Sequence, residues 1–225
     1  LLKLGIKARD AKVSEKPWNL VFLVDVSGSM NMPNKLPLVK QALSLLASKM
    51  RPQDRVAIVT YAGSAGVVLD STQGSERERI TAAVQSLGAG GSTNGAGGIM
   101  AAYDIAQRTM IPGGVNRVVL ATDGDFNVGI TNFDELMRMI EEKRRSGITL
   151  TTLGFGDGNI QEATMEQLAN RGNGNYFYID SFKEARKVLE TDLAGTMEVV
   201  AIDVMLQIVF NAVQVSQFRL IGYEY

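Results

Sequence analysis

The stretch Leu20-Val21-Phe22-Leu23-Val24-Asp25-Val26-Ser27-Gly28-Ser29 decides how the chain is read. Its first half is an unbroken apolar run, which suits a strand buried on both faces of a parallel sheet. Its second half changes character abruptly. A carboxylate and two hydroxyls follow at alternate positions, directly beyond the strand. In open parallel sheets ligands sit beyond the carboxyl ends of the strands, where the strand order reverses. Oxygen donors leaving a strand end in this way can converge on one point and suit a hard cation such as Mg²⁺ or Mn²⁺. Taken singly, Asp25, Ser27 or Ser29 could equally cap the helix that follows.

Working outward, strand and helix patterns alternate, which predicts a doubly wound, mostly parallel α/β sheet. Strands are expected at Asn19–Asp25, Asp54–Tyr61, Val115–Thr122, Ile148–Phe155 and Tyr176–Ile179. Helices are expected at Pro37–Met50, Ser75–Leu87, Thr93–Met110, Gln161–Asn170 and Ser181–Asp192, with another carrying Phe133, Leu136, Met137 and Ile140. Asn132 and Glu135 resemble a capping box for that helix, and Gly147 closes it. The turn Gly63-Ser64-Ala65-Gly66 predicts a hairpin to Val67-Val68-Leu69 as an antiparallel edge strand. The ends depart from this alternation. Leu2, Leu4, Ile6 and Ala8, then Ile202, Val204, Leu206, Ile208 and Phe210, then Phe218 and Leu220, repeat every second residue. These read as half-buried antiparallel strands. The expected division is a core at 15–195, with segments 1–14 and 196–225 packing together as a small accessory β-sheet.

Composition removes several functions. The chain has 225 residues, 45% hydrophobic, enough for a sizeable core without disulfides. Its 23 basic and 24 acidic residues leave a net charge of −1 and no electrostatic case for nucleic acid. Neither cysteine nor histidine occurs, so zinc-thiolate sites, thiol nucleophiles and Ser-His-Asp chemistry are excluded. No apolar run reaches the length of a membrane span. Leu1 and a strand-like end at Tyr225 read as the edges of an excised segment, so a signal peptide or lipid anchor would lie outside it.

Two further segments join the first. Thr122-Asp123-Gly124-Asp125 sets a second carboxylate at the end of another buried strand, and Gly90-Gly91-Ser92-Thr93-Asn94-Gly95 places hydroxyls just before a helix. A turn and a cap explain each alone, but not their placement together. Asp25-Val26-Ser27-Gly28-Ser29, Thr93 and Thr122-Asp123-Gly124 resemble the metal-ion-dependent adhesion site of von Willebrand factor type A domains, over about Trp18 to Leu193. The resemblance implies one divalent metal: Mg²⁺, with Mn²⁺ or Ca²⁺ as substitutes. Ser27 and Ser29 would bind it directly, Thr93 directly or through water, and Asp25 and Asp123 mostly through water or hydrogen bonds. It implies a non-enzymatic domain whose metal grips an Asp or Glu of a protein partner. The terminal strands and the stretch from Thr122 to Gly129 resemble a bacterial subgroup that includes envelope lipoproteins, which implies an extracytoplasmic location. Asp125 and Asn127 lie outside the shared motif. Two alternatives stay open: a metal-dependent phosphotransferase or hydrolase of Rossmann-like fold, and a structural domain with an unused site. An aspartyl-phosphate enzyme would carry a second Asp where Ser27 stands.

Overall fold

The structure, a computed structural model, describes residues 16–62, 64–90, 95–124, 133–156, 161–192, 195–196, 207–211, 213–217 and 219. Among the described residues, six strands alternate with helices in the order β1 (Trp18–Asp25), α1 (Leu36–Lys49), β2 (Arg55–Ala62), β3 (Ser64–Gln73), α2 (Arg77–Ser86) and α3 (Gly95–Arg108). Then come β4 (Val115–Thr122), α4 (Phe133–Arg145), β5 (Ile148–Phe155), α5 (Glu162–Arg171), β6 (Tyr176–Ile179) and α6 (Phe182–Lys187), the last continued by a wider π-helical turn at Val188–Asp192.

The strands form one sheet in the order β3-β2-β1-β4-β5-β6. All neighbours are parallel except β2 and β3, which pair antiparallel with register shifts between Val56 and Val59. The expected mostly parallel sheet with one antiparallel edge strand is therefore present. β3 is longer than the Val67–Leu69 read from its apolar residues, because an edge strand with one solvated face carries polar residues such as Asp70 and Ser71 within its ladder.

β1 is buried almost throughout because it has a sheet neighbour on each side and helices on both faces. Leu20, Phe22 and Val24 point into a core filled from α1, α2 and α6, including Leu43, Leu46, Ile80 and Ala185. Val21 and Leu23 point into the opposite core, filled from α3, α4 and α5, including Ile99, Tyr103, Ile140 and Leu168. At the amino ends of β1 and β2, buried Asp54 takes the Trp18 main-chain N–H at 2.9 Å and the Arg51 guanidinium at 2.8 Å. Arg51 also stacks over the Trp18 ring at 5.0 Å. This pole is closed by an ion pair; the oxygen-bearing residues singled out from the sequence lie at the other.

There the strand order reverses. β1 leads outward to β2 and β3 on one side, and to β4, β5 and β6 on the other. The crevice between the carboxyl ends of β1 and β4 is the switch point, and Asp25 and Thr122-Asp123 stand on its two sides. The accessory strands expected at both ends lie largely outside the described residues; 207–211 and 213–217, which are described, run as coil and turn. Asn132, the expected cap of α4, also lies outside them.

Candidate metal centre

Asp25 is fully buried, yet both of its carboxylate oxygens are engaged. The Ser27 main-chain N–H donates to Oδ1 at 2.8 Å. The Thr122 and Tyr61 hydroxyls donate to Oδ2 at 2.9 and 3.2 Å. The sheet places these groups: Tyr61 stands opposite Asp25 in the β1–β2 register, and Thr122 ends the strand on the other side. Helix α3 leans on Tyr61 at Gly98, where an added Cβ would come within 2.8 Å of the Tyr61 Cβ. All three donors are neutral, so they orient the charge without balancing it. Burial accordingly pushes the Asp25 carboxyl up from its ordinary value; the Ser27 and Thr122 hydrogen bonds pull it back, and the nearby Asp123 charge pushes it further up. The Tyr61 phenol is raised well above its usual range by burial and then by the Asp25 charge.

After Asp25 the chain turns through a short 3₁₀ segment, Gly28–Met30, closed by the Met30 N–H on the Ser27 carbonyl at 3.0 Å. Met30 is fully buried and anchors this turn, while Ser29 is exposed and Ser27 is not. The Ser27 and Ser29 hydroxyl oxygens meet at 2.9 Å. Two hydroxyls held together beside an oriented carboxylate form a convergent, all-oxygen donor set. Gly28 between them leaves open space on its side-chain face.

Asp123, 7% exposed, follows Thr122 directly. Its Oδ2 accepts from Lys35 Nζ at 2.9 Å, with side-chain exposures of 14% for the lysine and 4% for the aspartate. Lys35 precedes α1, and its stem crosses Gly156 at the end of β5, where a Cβ would lie 2.8 Å from Lys35 Cε.

Of the residues picked from the sequence, Asp25, Ser27, Ser29 and Asp123 gather at the switch point. Thr93 lies outside the described residues, as do Asp125 and Asn127. Sequence reasoning missed Tyr61 and Lys35. Tyr61 gave no signal beyond a buried strand residue. Lys35 gave one: a cation at a helix amino end, where the helix dipole disfavours it.

A divalent cation fits the residues present. The donors are hard oxygens, and the buried Asp25 charge has dipoles around it that orient but do not neutralise it. No group of three acidic, histidine or cysteine side chains that could hold a metal occurs among the described residues. The candidate site therefore differs in kind from a carboxylate cage: it offers two carboxylates supplemented by hydroxyls.

Comparisons with known proteins bear on the family and the fold. The model of the family described as von Willebrand factor type A domain matches residues 19–191. A second, described as "Uncharacterized protein YfbK, C-terminal", matches residues 195–225. YfbK of Escherichia coli (strain K12) is 49% identical over 225 residues, all of this chain but 39% of that protein. The chain thus spans about two fifths of that relative's length. Among solved structures, a von Willebrand factor type A protein from Catenulispora acidiphila superposes with a TM-score of 0.69 at 21% identity, covering 81% of this chain and 43% of that one. Proximal thread matrix protein 1 from the mussel byssus, in a structure described as having a zinc-occupied MIDAS motif, gives 0.63 at 21% identity, covering 82% and 46%. With that family match over most of its length and the switch-point constellation on the expected sheet, the chain belongs to the von Willebrand factor type A domain family.

Proposed function

We propose that this domain binds one divalent metal, Mg²⁺ in its working state, and uses it to grip an Asp or Glu side chain of a protein partner. The observation that carries the reading is the buried Asp25, held by Ser27, Thr122 and Tyr61 beside two serine hydroxyls 2.9 Å apart. Ser27 and Ser29 would hold the metal directly, Thr93 directly or through water, and Asp25 and Asp123 mainly through water. Hydroxyls carry no charge, so a cation held chiefly by them stays under-neutralised and favours one more anionic oxygen from outside. The metal would supply that attraction as part of an interface. Mn²⁺ should substitute; Ca²⁺, with longer bonds and looser geometry, should support the partner less well.

The reading is non-catalytic. An aspartyl-phosphate mechanism would need Asp25 as an accessible nucleophile, whereas both of its oxygens are already hydrogen-bonded and the residue is sealed from solvent. Ser27 also stands where that mechanism places its second carboxylate. We further propose that segments 1–14 and 196–225 pair as an accessory sheet. An extracytoplasmic location in a bacterial envelope follows from the subgroup that the terminal segments and the Thr122–Gly129 stretch resemble.

The test is isothermal titration of chelator-treated protein with Mg²⁺ or Mn²⁺. One equivalent should bind, and the double variant Ser27→Ala plus Asp123→Ala should bind none. Undiminished binding by that variant would place the metal elsewhere. A partner recovered with Mg²⁺ and lost with EDTA, and lost again when its acidic contact is changed to the amide, would establish the bridge. Reciprocity requires metal and partner to raise each other's affinity by the same factor.

A further inference from the structure

The candidate centre contains a cation of the protein's own. Lys35 Nζ lies 2.9 Å from Asp123 Oδ2, and both side chains are largely withdrawn from water. The contact is built rather than incidental. Lys35 is held by a turn, its N–H donating to the Met32 carbonyl at 3.0 Å, and its own carbonyl receives the Val39 N–H at 2.9 Å. Its stem lies across Gly156, whose φ of +95° and lack of a side chain leave the slot that the methylenes fill. The position also opposes the helix dipole, because Lys35 is the residue from which α1 starts. A cation kept there needs a compensating partner, and Asp123 is that partner.

We infer that Lys35 is a tethered competitor of the metal: it neutralises Asp123 in the metal-free domain and must be displaced from it, or oppose the incoming charge, when a divalent cation binds. The inference rests on the metal reading above and adds a control element to it. With Lys35 paired, the two carboxylates Asp25 and Asp123 present one net negative charge instead of two. The metal-free fold is thereby spared a second uncompensated negative charge beside Asp25, and charge repulsion between two buried carboxylates is destabilising. The same pairing weakens the pull on Mg²⁺. Occupancy of the site then depends on the metal concentration and on an acidic ligand arriving to share the cation, instead of being fixed when the chain folds. It also leaves the loaded site with a positive charge close by, which favours an anionic ligand over a neutral one.

The test uses the whole chain, with Mg²⁺ and Mn²⁺ as the probes. Lys35→Met removes charge and donor; Lys35→Gln keeps a donor toward Asp123 and removes the charge alone, which guards against a folding failure of the first. Metal affinity is measured by isothermal titration, and melting temperature is followed with and without metal. Both variants should bind metal at least about tenfold more tightly than the parent. Lys35→Met should also melt lower without metal and recover most of the difference when saturated. Binding by a variant where the parent shows none supports the competition in its strongest form. Equal or weaker binding by both variants, with the parent binding normally, overturns the role of Lys35 and leaves the metal site standing. No binding by any of the three overturns both.

Discussion

Ser27→Ala separates the two things that Ser27 does. Its main-chain N–H holds Asp25 Oδ1 at 2.8 Å, and alanine keeps that bond. Its hydroxyl meets Ser29 at 2.9 Å and also helps hold the Asp25 carboxyl down, and alanine removes it. Losing a hydrogen bond costs about 0.5–1.5 kcal/mol between neutral groups and about 1.5–3 kcal/mol to a charged one, so the metal-free variant should melt several degrees below the parent. The metal-dependent part behaves differently. With Mg²⁺ at about 100 times its dissociation constant, a site present only in the folded state stabilises it by about 2.7 kcal/mol. For a chain of 225 residues, at about 2–4 °C per kcal/mol, the melting temperature rises by roughly 5–11 °C. If removing the hydroxyl weakens affinity about a hundredfold, the same Mg²⁺ concentration only half fills the site and contributes about 0.4 kcal/mol, roughly 1–2 °C. Differential scanning fluorimetry across an Mg²⁺ series, with EDTA as baseline, reads both quantities at once. A metal-induced rise of equal size in parent and variant would refute the assignment of Ser27. A large loss in the metal-free state would instead show that the hydroxyl is a structural element.

Three other outcomes are expected. Gly156→Ala puts a side chain at φ +95° and against the Lys35 stem; it should cost about 1–2 kcal/mol of stability and, by dislodging Lys35, tighten Mg²⁺ binding in titration calorimetry. Arg117→Met removes a guanidinium that bonds to the Thr196 carbonyl at 2.7 Å and its hydroxyl at 3.1 Å. Since burial lowers that guanidinium to about 10, an apolar side chain of similar length should change the melting temperature little while chymotrypsin cuts faster beyond Thr196; an unchanged cleavage rate would show that the anchor lies elsewhere. At alkaline pH the buried phenols of Tyr61 and Tyr103 are both raised by burial, and Tyr176 to about 12 by burial and Glu162. Below pH 10 they are protonated in both states. Above it the unfolded chain releases those protons first, so stability should fall as pH rises from 10 toward 12. Phenolate absorbance at these residues should appear only with unfolding, and a full signal before the thermal transition shifts would contradict their burial.

The parallel core was legible because strands buried on both faces must be continuously apolar, and Leu20 to Val24 and Val118 to Leu120 announce that. Most helix ends moved by one or two residues, as with α1 at Leu36–Lys49 against the expected Pro37–Met50, because terminal turns are set by local backbone hydrogen bonds that periodicity does not see. Asp25, Ser27, Ser29 and Asp123 could be grouped because strand ends on either side of a switch point converge whatever the intervening sequence. What could not be read were contacts made by register and by long reach. Tyr61 touches Asp25 because β2 runs beside β1 in one particular alignment. Lys35 meets Asp123 across 88 residues of sequence, through a slot left open by a glycine just beyond β5. Thr93 and most of the segments expected to form terminal strands fall outside the described residues.

Arg117 also gives the sheet a direction in which it can bear load. It stands five positions before Thr122 on β4, roughly 17 Å along the strand, and it is where the chain beyond the core is fastened through Thr196. A ligand held at the carboxyl end and a load passed through Thr196 to Arg117 would pull lengthwise on the same central strand. β4 is paired in parallel on both sides, to β1 and to β5, over nearly its whole length. Tension applied at both ends of one strand is borne by its covalent backbone, and the ladders on either side hold that strand in place without being sheared. The antiparallel edge at β3 lies outside this line of force, and a grip made at the switch point would be carried by the most deeply enclosed strand in the domain.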